Sequence, residues 1–331
     1  PSSQSVTGYV GTAMAPTTLL TATNFTGAVT YTLSGSLPSG LLFNSVTGQI
    51  TGTPGIAQAA TTYTITGKGA TAGTATAKVT LTLLQPSLTP ASQTVTGYVG
   101  KALTATSTLA AKNFSGTVSF NVSPLLPAGL SLNTTNGQIT GTPTTVQALT
   151  NYVITATGSS AGSASTTVSL SVLPPSISPA AQTLGGVAGV AITKTSAFSA
   201  TGFTGTVSYA ITPALPGGFS FNATNGVVSG TPTAALPTTS YTVTGTGATS
   251  GSATAGLLIT IAPPPPKLTP ASQTVNGTVG AALTSATLTA SNFSTPSALA
   301  YSVTPALPNG LGISATGVIS GIPTLAQAAT I

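Results

Sequence analysis

The sequence contains no Asp, Glu, His, Cys, Arg or Trp in 331 residues. General acid–base catalysis uses mainly His, Asp, Glu or Cys, and zinc, iron, copper and calcium sites need the same side chains as ligands. A Ser–Lys dyad is the one catalytic arrangement left, and in a chain this rich in serine such pairs occur by chance. We therefore predict no enzyme activity, no catalytic residues, no cofactor-binding residues, no cofactor and no metal ligands.

Charge is nearly absent as well, since six lysines give the whole formal net charge of +6. They are scattered without an Arg fork or an aromatic-basic run, so we predict no nucleic-acid partner and assign them to solvated surface and to protection of strand edges. They are Lys68, Lys78, Lys101, Lys112, Lys194 and Lys267. No apolar run reaches the length of a membrane span, so we predict no membrane insertion in this segment. Pro1 is not a translation start, and we expect a processed chain or a fragment.

One 18-residue motif occurs in four versions, the second being LPAGLSLNTTNGQITGTP at Leu126–Pro143. Its Leu-Pro-x-Gly glycine recurs at spacings of 89, 89 and 92 residues, as Gly40, Gly129, Gly218 and Gly310. A period of that length is a small domain, so the chain is predicted to be a tandem array. We name the units repeats 1 to 4 and place them at residues 1–85, 86–174, 175–265 and 266–331, the last without its final two strands.

The motif itself predicts a β-hairpin. Leu-Pro followed by a small residue and glycine is typical of a tight turn, in which Gly129 takes a positive φ. Leu130 and Leu132 alternate toward one face, and Asn136-Gly137 is a strong hairpin signal before the return strand ends at Gly-Thr-Pro. A phosphate-binding glycine loop is the rival interpretation, but neither a helical pattern nor a Lys-Ser/Thr pair follows these glycines.

The remaining pattern predicts five further strands in each repeat. A first strand opens at Gln4 and is broken by a glycine, and a second runs to an Asn-Phe or Gly-Phe pair whose phenylalanine we assign to the core rather than to a ligand contact. The third strand alternates as Val29, Tyr31 and Leu33, with Leu299, Tyr301 and Val303 as its fourth copy. The sixth starts at a tyrosine and the seventh again alternates. Seven short alternating strands in about 89 residues predict an all-β array of immunoglobulin-like sandwiches.

Proline-rich connectors separate the repeats at Gln85–Pro90, Pro174–Pro179 and Pro263–Lys267. Segments of this composition are semi-rigid spacers rather than hinges. With strand rises of about 3.3 Å per residue, four linked repeats would make a rod of order 150 Å.

The motif, together with the Tyr152-Val-Ile-Thr-Ala-Thr-Gly stretch and Ala161-Gly-Ser-Ala, resembles the immunoglobulin-like repeat domain of bacterial surface proteins and, more distantly, cadherin-like repeats. The resemblance covers essentially the whole chain and implies an extracellular or cell-surface protein that acts as a stalk, spacer or adhesin. Many relatives carry an acidic residue where this chain has Gly69, Gly158 and Gly247, which argues against calcium-stiffened junctions.

Two functions remain open. The first is a structural rod, either a stalk of a large surface protein or a subunit of a filament or sheath with homotypic or same-family contacts. The second is an adhesin whose sandwich-end loops bind a glycan or a host or partner protein. Because repeat 4 stops one residue before its counterpart of Tyr241, we expect either continuation of the protein or a strand from another chain, and favour continuation.

Overall fold

The computed structural model describes residues 1–293 and 299–328, and those residues contain β-strands, turns and loops but no helix. Two compact units can be separated. Unit 1 comprises Pro1–Ser176 with the loops Ala200–Val207 and Thr246–Ala253 of repeat 3. Unit 2 comprises Ile177–Ser199, Ser208–Gly245 and the described residues from Thr254 onward.

The strand sets of the four repeats are similar but not identical, with six strands in repeat 1, eight in repeats 2 and 3 and five in the described part of repeat 4. Repeat 1 contains β1 (Ser3–Tyr9), β2 (Val29–Leu33), β3 (Leu41–Phe43), β4 (Ile50–Gly52), β5 (Gln58–Gly69) and β6 (Thr74–Leu84). Repeat 2 contains β7 (Ser87–Thr89), β8 (Ser92–Tyr98), β9 (Ala110–Lys112), β10 (Val118–Ser123), β11 (Leu130–Leu132), β12 (Ile139–Gly141), β13 (Gln147–Gly158) and β14 (Ser163–Leu173). Repeat 3 contains β15 (Ser176–Ser178), β16 (Ala181–Val187), β17 (Ser199–Thr201), β18 (Val207–Thr212), β19 (Phe219–Phe221), β20 (Val228–Gly230), β21 (Leu236–Gly247) and β22 (Ser252–Ala262). Repeat 4 contains β23 (Lys267–Thr269), β24 (Leu283–Thr284), β25 (Thr289–Ser291), β26 (Leu311–Ile313) and β27 (Ile319–Gly321).

Each of the first three repeats has one four-stranded sheet, with the order β1-β6-β5-β2 in repeat 1. The first strand runs parallel to the last, from Ser3 opposite Lys78 to Tyr9 opposite Leu84, and the other pairs are antiparallel. The short hairpin, and in repeats 2 and 3 a two-stranded sheet such as β7-β9, supply the opposing layer. This arrangement is the predicted immunoglobulin-like sandwich.

The core of repeat 2 illustrates how period-two alternation fills the space between the layers. Ile139, Ile154, Val168, Leu170 and Val172 are each 0% exposed. Full burial of such a side chain stabilises the fold by about 1.5–3 kcal/mol, so this cluster contributes strongly to the stability of repeat 2. The same inward positions hold Ile50, Ile65, Val79 and Leu81 in repeat 1.

The predicted hairpin is present in all four repeats, and in repeat 2 Leu130 pairs with Gly141 and Leu132 with Ile139. Gly129 has φ +88°, as predicted. The turn differs from a two-residue Asn-Gly turn, because it spans residues 133–138 and Asn136 does not have positive φ. The Asn133 side chain holds this longer turn by accepting hydrogen bonds from the Thr135 and Asn136 amides, at 2.9 and 3.3 Å.

A buried threonine fastens the hairpin to the loop ahead of it. Thr106 Oγ1 accepts a hydrogen bond from the Ile139 amide at 2.8 Å, and Gln138 Nε2 donates to the Thr106 carbonyl at 2.8 Å. Thr17, Thr195 and Ser285 accept the equivalent amide hydrogen bond in the other repeats. Satisfying these buried groups avoids the penalty of an unpaired amide and fixes the register between loop and hairpin.

Five sequence predictions about strands are wrong. Repeat 1 has no strand between β1 and β2, where the second strand is predicted, and repeat 4 has no strand near Gln273, where its first strand is predicted. The first strand is not broken by its glycine, because β1 continues through Gly8, where a Cβ would lie only 3.0 Å from the Leu83 side chain. The sixth strand starts five residues earlier than its tyrosine, at Gln58 in repeat 1, with an irregularity between Gln58 and Thr61. Leu299, Tyr301 and Val303 lie outside any strand.

The connectors also differ from the prediction that they are spacers. Ser87–Thr89 and Ser176–Ser178 are strands, so repeats 2 and 3 have eight strands rather than seven. Leu88 is only 7% exposed and belongs to the core of repeat 2, facing Ala111 across β7-β9. A single apolar residue between polar neighbours gave too little alternation for sequence reasoning to identify a strand.

Candidate interaction surfaces

The six lysines are all exposed, as predicted for solvated surface. Lys101 Nζ lies 6.0 Å from the centroid of the Tyr98 ring, at the outer limit of a cation–π contact. Because the sequence has no carboxylate, none of the lysines has an acidic side chain to pair with. The surface chemistry is therefore dominated by hydroxyl, amide and apolar groups.

The phenylalanine that follows the second strand packs against a glycine, which partly agrees with its assignment to the core. A Cβ on Gly73 would lie 3.0 Å from Phe25 Cδ1, and a Cβ on Gly251 would lie 3.0 Å from Phe203 Cδ1. Phe203 is 8% exposed, but Phe25 and Phe114 are half-buried and Phe293 is 36% exposed. The ring therefore covers one end of the sandwich and does not lie at its centre.

The residue before this phenylalanine has a left-handed backbone in every repeat. Asn24, Asn113 and Asn292 have φ of 63°, 66° and 64°, and Gly202 has φ 83°. Asn and Gly are the residues that tolerate this conformation best. Asn113 Nδ2 also donates a 2.8 Å hydrogen bond to the Gln85 carbonyl, so the side chain ties the end of the connector to repeat 2. Asn292 Nδ2 makes the same bond to the Pro265 carbonyl at 3.1 Å.

Within unit 1, the end of β8 meets loops of the following repeat. A Cβ on Gly202 would overlap the Tyr98 ring, and a Cβ on Gly100 would overlap Ser250 Oγ. Gly11 is likewise close to Gly162, with 4.0 Å from its ideal Cβ position to the Gly162 nitrogen. Sequence reasoning did not find these junction residues, because they lie about 100 or more positions apart and share no motif.

Repeat 2 exposes three large aliphatic side chains at one end of the sheet. Leu125 follows β10, Val146 directly precedes β13, and Leu149 lies near the start of β13, which pairs antiparallel with β10. Their side chains are 90%, 59% and 68% exposed. Single exposed apolar residues are ordinary, but three at one sandwich end form a candidate contact surface.

Most of the tyrosines are inside, as predicted, and five of the eight are 8% exposed or less: Tyr31, Tyr63, Tyr152, Tyr209 and Tyr241. Burial raises the pKa of Tyr152 and of Tyr209 above the usual value for tyrosine. Tyr209 also donates to the Phe198 carbonyl at 3.2 Å, and its ring stacks on Phe198 with centroids 6.0 Å apart. These phenols are structural and are not available to a glycan.

Among the described residues, no group of three or more His, Cys, Asp or Glu could hold a metal ion. Across residues 1–293 and 299–328 no helix is long and apolar enough to cross a bilayer. The candidate contact surfaces described above are the repeat junctions and the apolar end of repeat 2.

Comparison with known proteins decides the family. The family model described as "Putative Ig domain" matches residues 1–84, 85–173 and 174–262. The chain belongs to this Ig-domain family. The resemblance drawn from the hairpin motif is thereby confirmed, as is the all-β, Ig-like fold.

Among curated proteins, the chain is similar to the "Serine-rich adhesin for platelets" of Staphylococcus aureus, with 35% identity over 181 residues. That alignment covers 53% of this chain and 8% of the adhesin. The adhesin of strain MRSA252 is 34% identical, with 53% of this chain and 13% of that protein covered. The chain therefore spans only a small part of the length of these relatives.

Among solved structures, the I9-I11 tandem of titin is 10% identical with a TM-score of 0.40, covering 78% of this chain and 97% of that chain. Mouse cadherin-23 EC22-24 is 16% identical with a TM-score of 0.25, covering 79% and 96%. Neither likeness bears on function.

The family and the adhesin matches confirm two further predictions. The chain is a non-enzymatic Ig-domain repeat protein, and its location is extracellular or at the cell surface.

Proposed function

We propose that these Ig-domain repeats are a stalk segment of an adhesin-type surface protein, which holds a binding region away from the cell. Each repeat, taken as 1–85, 86–174, 175–265 and 266–331, would be one link. The observation that carries this proposal is the connector between repeats 1 and 2, since it is built into the fold of repeat 2.

Three contacts hold that connector. Its strand pairs with β9, its Leu88 side chain is buried, and its Gln85 carbonyl accepts the Asn113 side-chain hydrogen bond. Burial of one leucine contributes about 1.5–3 kcal/mol, enough to keep the segment docked most of the time. A docked connector transmits orientation from one repeat to the next, whereas a free chain of the same length would act as a flexible tether.

The stalk would not depend on calcium or on pH in the ordinary range. Stiff junctions that depend on calcium need carboxylate ligands, and this sequence has none. Its junction contacts are instead a buried leucine, amide hydrogen bonds and the approach of Tyr98 to Gly202.

Small-angle scattering of the whole chain tests the stalk. We expect an elongated particle with the same profile in calcium and in EDTA, whereas a compact 331-residue globule would have a radius of gyration of about 20 Å. Leu88→Ser should broaden the distribution of distances by freeing the connector, while Leu42→Ser, at a side chain 70% exposed, should leave it unchanged. A compact particle, or a Leu88→Ser profile identical to wild type, would reject the proposal.

A second candidate function rests on the apolar end of repeat 2. In this proposal Leu125, Val146 and Leu149 form a contact surface for a protein partner, and the stalk segment itself is adhesive. Beads coated with wild type should bind host cells more strongly than beads coated with a Leu125→Ser/Leu149→Thr variant. A Leu19→Ser variant, changed at a side chain 53% exposed in repeat 1, is the control. Equal binding by all three coatings would exclude this surface.

Homotypic contacts are the remaining proposal for partners. A surface with almost no charge has little electrostatic self-repulsion, which favours lateral association into a filament or sheath. Analytical ultracentrifugation over a hundredfold concentration range distinguishes the two forms of the proposal. A stalk segment should sediment as a monomer throughout, and a filament subunit should show larger species at high concentration.

A further inference from the structure

Four Asn-Gly pairs occur in the chain, and their asparagines are Asn136, Asn225, Asn276 and Asn309. In such a pair the main-chain nitrogen of the glycine can attack the side-chain amide carbon of the asparagine, because glycine has no Cβ to block the approach. The attack needs a nitrogen without a hydrogen-bond partner and a side chain that is free to rotate toward it. The surroundings of each pair therefore decide whether it reacts in the folded protein.

The pairs in the hairpin turns of repeats 2 and 3 are held away from this reaction. The Gly137 amide donates a hydrogen bond to the Asn133 carbonyl at 2.8 Å. Asn136 Oδ1 accepts a hydrogen bond from the Gln138 amide at 3.0 Å, which fixes the side chain. Repeat 3 has the same two hydrogen bonds around Asn225-Gly226, at 2.7 and 3.1 Å. Both glycines are also buried, so nitrogen and side chain are engaged in each pair.

Asn309 lies in a different turn, the Leu-Pro-x-Gly turn that opens the hairpin of repeat 4. Asn309 and Gly310 are exposed, and in residues 1–293 and 299–328 no group is hydrogen-bonded to the Asn309 side chain or to the Gly310 nitrogen. Exposure is a property of this turn in every repeat, because the counterparts Ser39, Ala128 and Gly217 are exposed as well. Only repeat 4 has asparagine at this position.

Asn276 is exposed too, but its position is not equivalent from repeat to repeat. Its counterparts lie within the first strand, as Thr7 in β1 and Thr96 in β8. Strand pairing restrains the main chain and slows any reaction that needs local opening. Asn309 is therefore the better candidate, since its turn is exposed in all four repeats.

We propose that Asn309 is a deamidation site, at which the chain converts a side-chain amide into a carboxylate without an enzyme. The Gly310 nitrogen loses its proton and bonds to Asn309 Cγ, and ammonia leaves to give a cyclic succinimide. Water then opens the ring at one of two bonds. Cleavage between Cγ and the nitrogen gives aspartate, whereas cleavage between the main-chain carbonyl carbon and the nitrogen gives isoaspartate. Overall, one water is consumed and one ammonia is released.

The two products differ in what they do to the hairpin. Each brings a negative charge into a chain that has no Asp or Glu. Isoaspartate also lengthens the main chain by one methylene, at a turn held by cross-hairpin hydrogen bonds. The Asn309 carbonyl accepts from the Thr324 amide, and the Gly310 carbonyl accepts from the Ile322 amide, both at 3.0 Å. We expect the isoaspartate form to weaken these bonds, so the modification is a slow and irreversible change in repeat 4.

The test incubates the whole chain in mildly alkaline buffer at body temperature and follows each Asn-Gly pair by peptide mapping with mass spectrometry. We expect Asn309 to convert at least about 10-fold faster than Asn136 and Asn225, because the hairpin pairs react only after two hydrogen bonds break. In denaturant the three rates should lie within about 3-fold of one another, since the folded surroundings are lost. Conversion of Asn309 in the folded chain at the rate of Asn136 or slower would overturn the proposal.

Matched variants separate the site from the background. Asn309→Gln should remove the fast conversion, because glutamine would have to form a larger ring, and Asn136→Gln should leave it unchanged. In the isoaspartate fraction we expect hydrogen exchange at the Ile322 and Thr324 amides to be at least about 10-fold faster than in the parent chain. Unchanged exchange there would contradict the proposed effect on the hairpin. Exchange at Leu170, in the core of repeat 2, reports whether each protein is folded.

Discussion

Repeats 2 and 4 share the hairpin motif but differ in what covers it. Their hairpins have equivalent register, with Leu130 opposite Gly141 in one and Leu311 opposite Gly321 in the other. Yet Leu88 of β7 is 7% exposed, whereas its counterpart Leu268 of β23 is 37% exposed. The hairpin therefore forms from local contacts, and burial of the core needs the rest of the sandwich.

The difference has a simple physical origin. The hairpin closes within 18 residues, through backbone hydrogen bonds and glycines that allow its two strands to approach. The core of repeat 2 needs Ile154 and Leu170, which belong to the long β13-β14 pair. No counterpart of that pair is present among the described residues of repeat 4.

The largest expected effect is the loss of stability when an aromatic core residue is removed from repeat 2 rather than from repeat 4. Phe120→Ala should destabilise repeat 2 by about 3–5 kcal/mol, because the ring is 4% exposed and its removal leaves a cavity. Tyr301→Ala, at the counterpart position, should change stability by under about 1.5 kcal/mol, since that side chain is only half-buried. Hydrogen exchange resolved by repeat measures both, and similar losses would mean that the two cores are equally packed.

Substitution of the turn glycine should disrupt the hairpin in both repeats. A Cβ on Gly129 would overlap the Thr142 carbonyl oxygen, and a Cβ on Gly310 would overlap that of Ile322, each at positive φ. Gly129→Val should therefore destabilise repeat 2 by about 2–4 kcal/mol and Gly310→Val should abolish protection of the repeat 4 hairpin.

Gly185→Val is the control for this pair, because nothing lies within 4 Å of its Cβ position and its φ is not left-handed. We expect a change under about 0.5 kcal/mol in chemical denaturation. A control as damaging as Gly129→Val would show that valine is harmful for reasons other than the turn.

The left-handed residue before the phenylalanine differs between repeats 2 and 3, as Asn113 and Gly202. Asn113→Ala should cost about 1–2 kcal/mol, through loss of the hydrogen bond to Gln85 and strain at φ 66°. Asn113→Gly should recover the part due to strain, since repeat 3 has glycine at this position. Gly202→Asn is expected to displace the Tyr98 ring and to loosen that junction, seen as faster exchange near the end of β8.

The smallest expected effect is that of pH. The sequence has no Asp, Glu, His or Cys, so we expect the melting temperature to be constant between about pH 4 and 8. Burial raises the folded-state pKa of Tyr152 and Tyr209 above the unfolded value near 10. Their contribution is therefore complete below about pH 10 and is lost as pH rises further. A fall of more than about 5 °C between pH 7.5 and pH 4 would contradict this argument.

Four features follow directly from the sequence: the repeat length, the hairpin with its positive-φ glycine, the inward faces of the strands and the lack of the side chains that most catalysis uses. These features depend on residues close in sequence or on composition, where backbone sterics and period-two alternation act directly. The misplaced strand start at Gln58 shows the limit, because an Ala/Thr-rich segment has no alternation to mark where pairing begins.

The structural roles of the polar and connector residues depend instead on tertiary contacts. Leu88 belongs to the core of repeat 2, and Asn113 donates a hydrogen bond to the connector. Thr106 accepts a hydrogen bond inside the sandwich, and Gly202 leaves room for the Tyr98 ring. Each role depends on a partner well separated along the chain, up to about 100 residues away, and a short pattern around one residue carries no information about that partner.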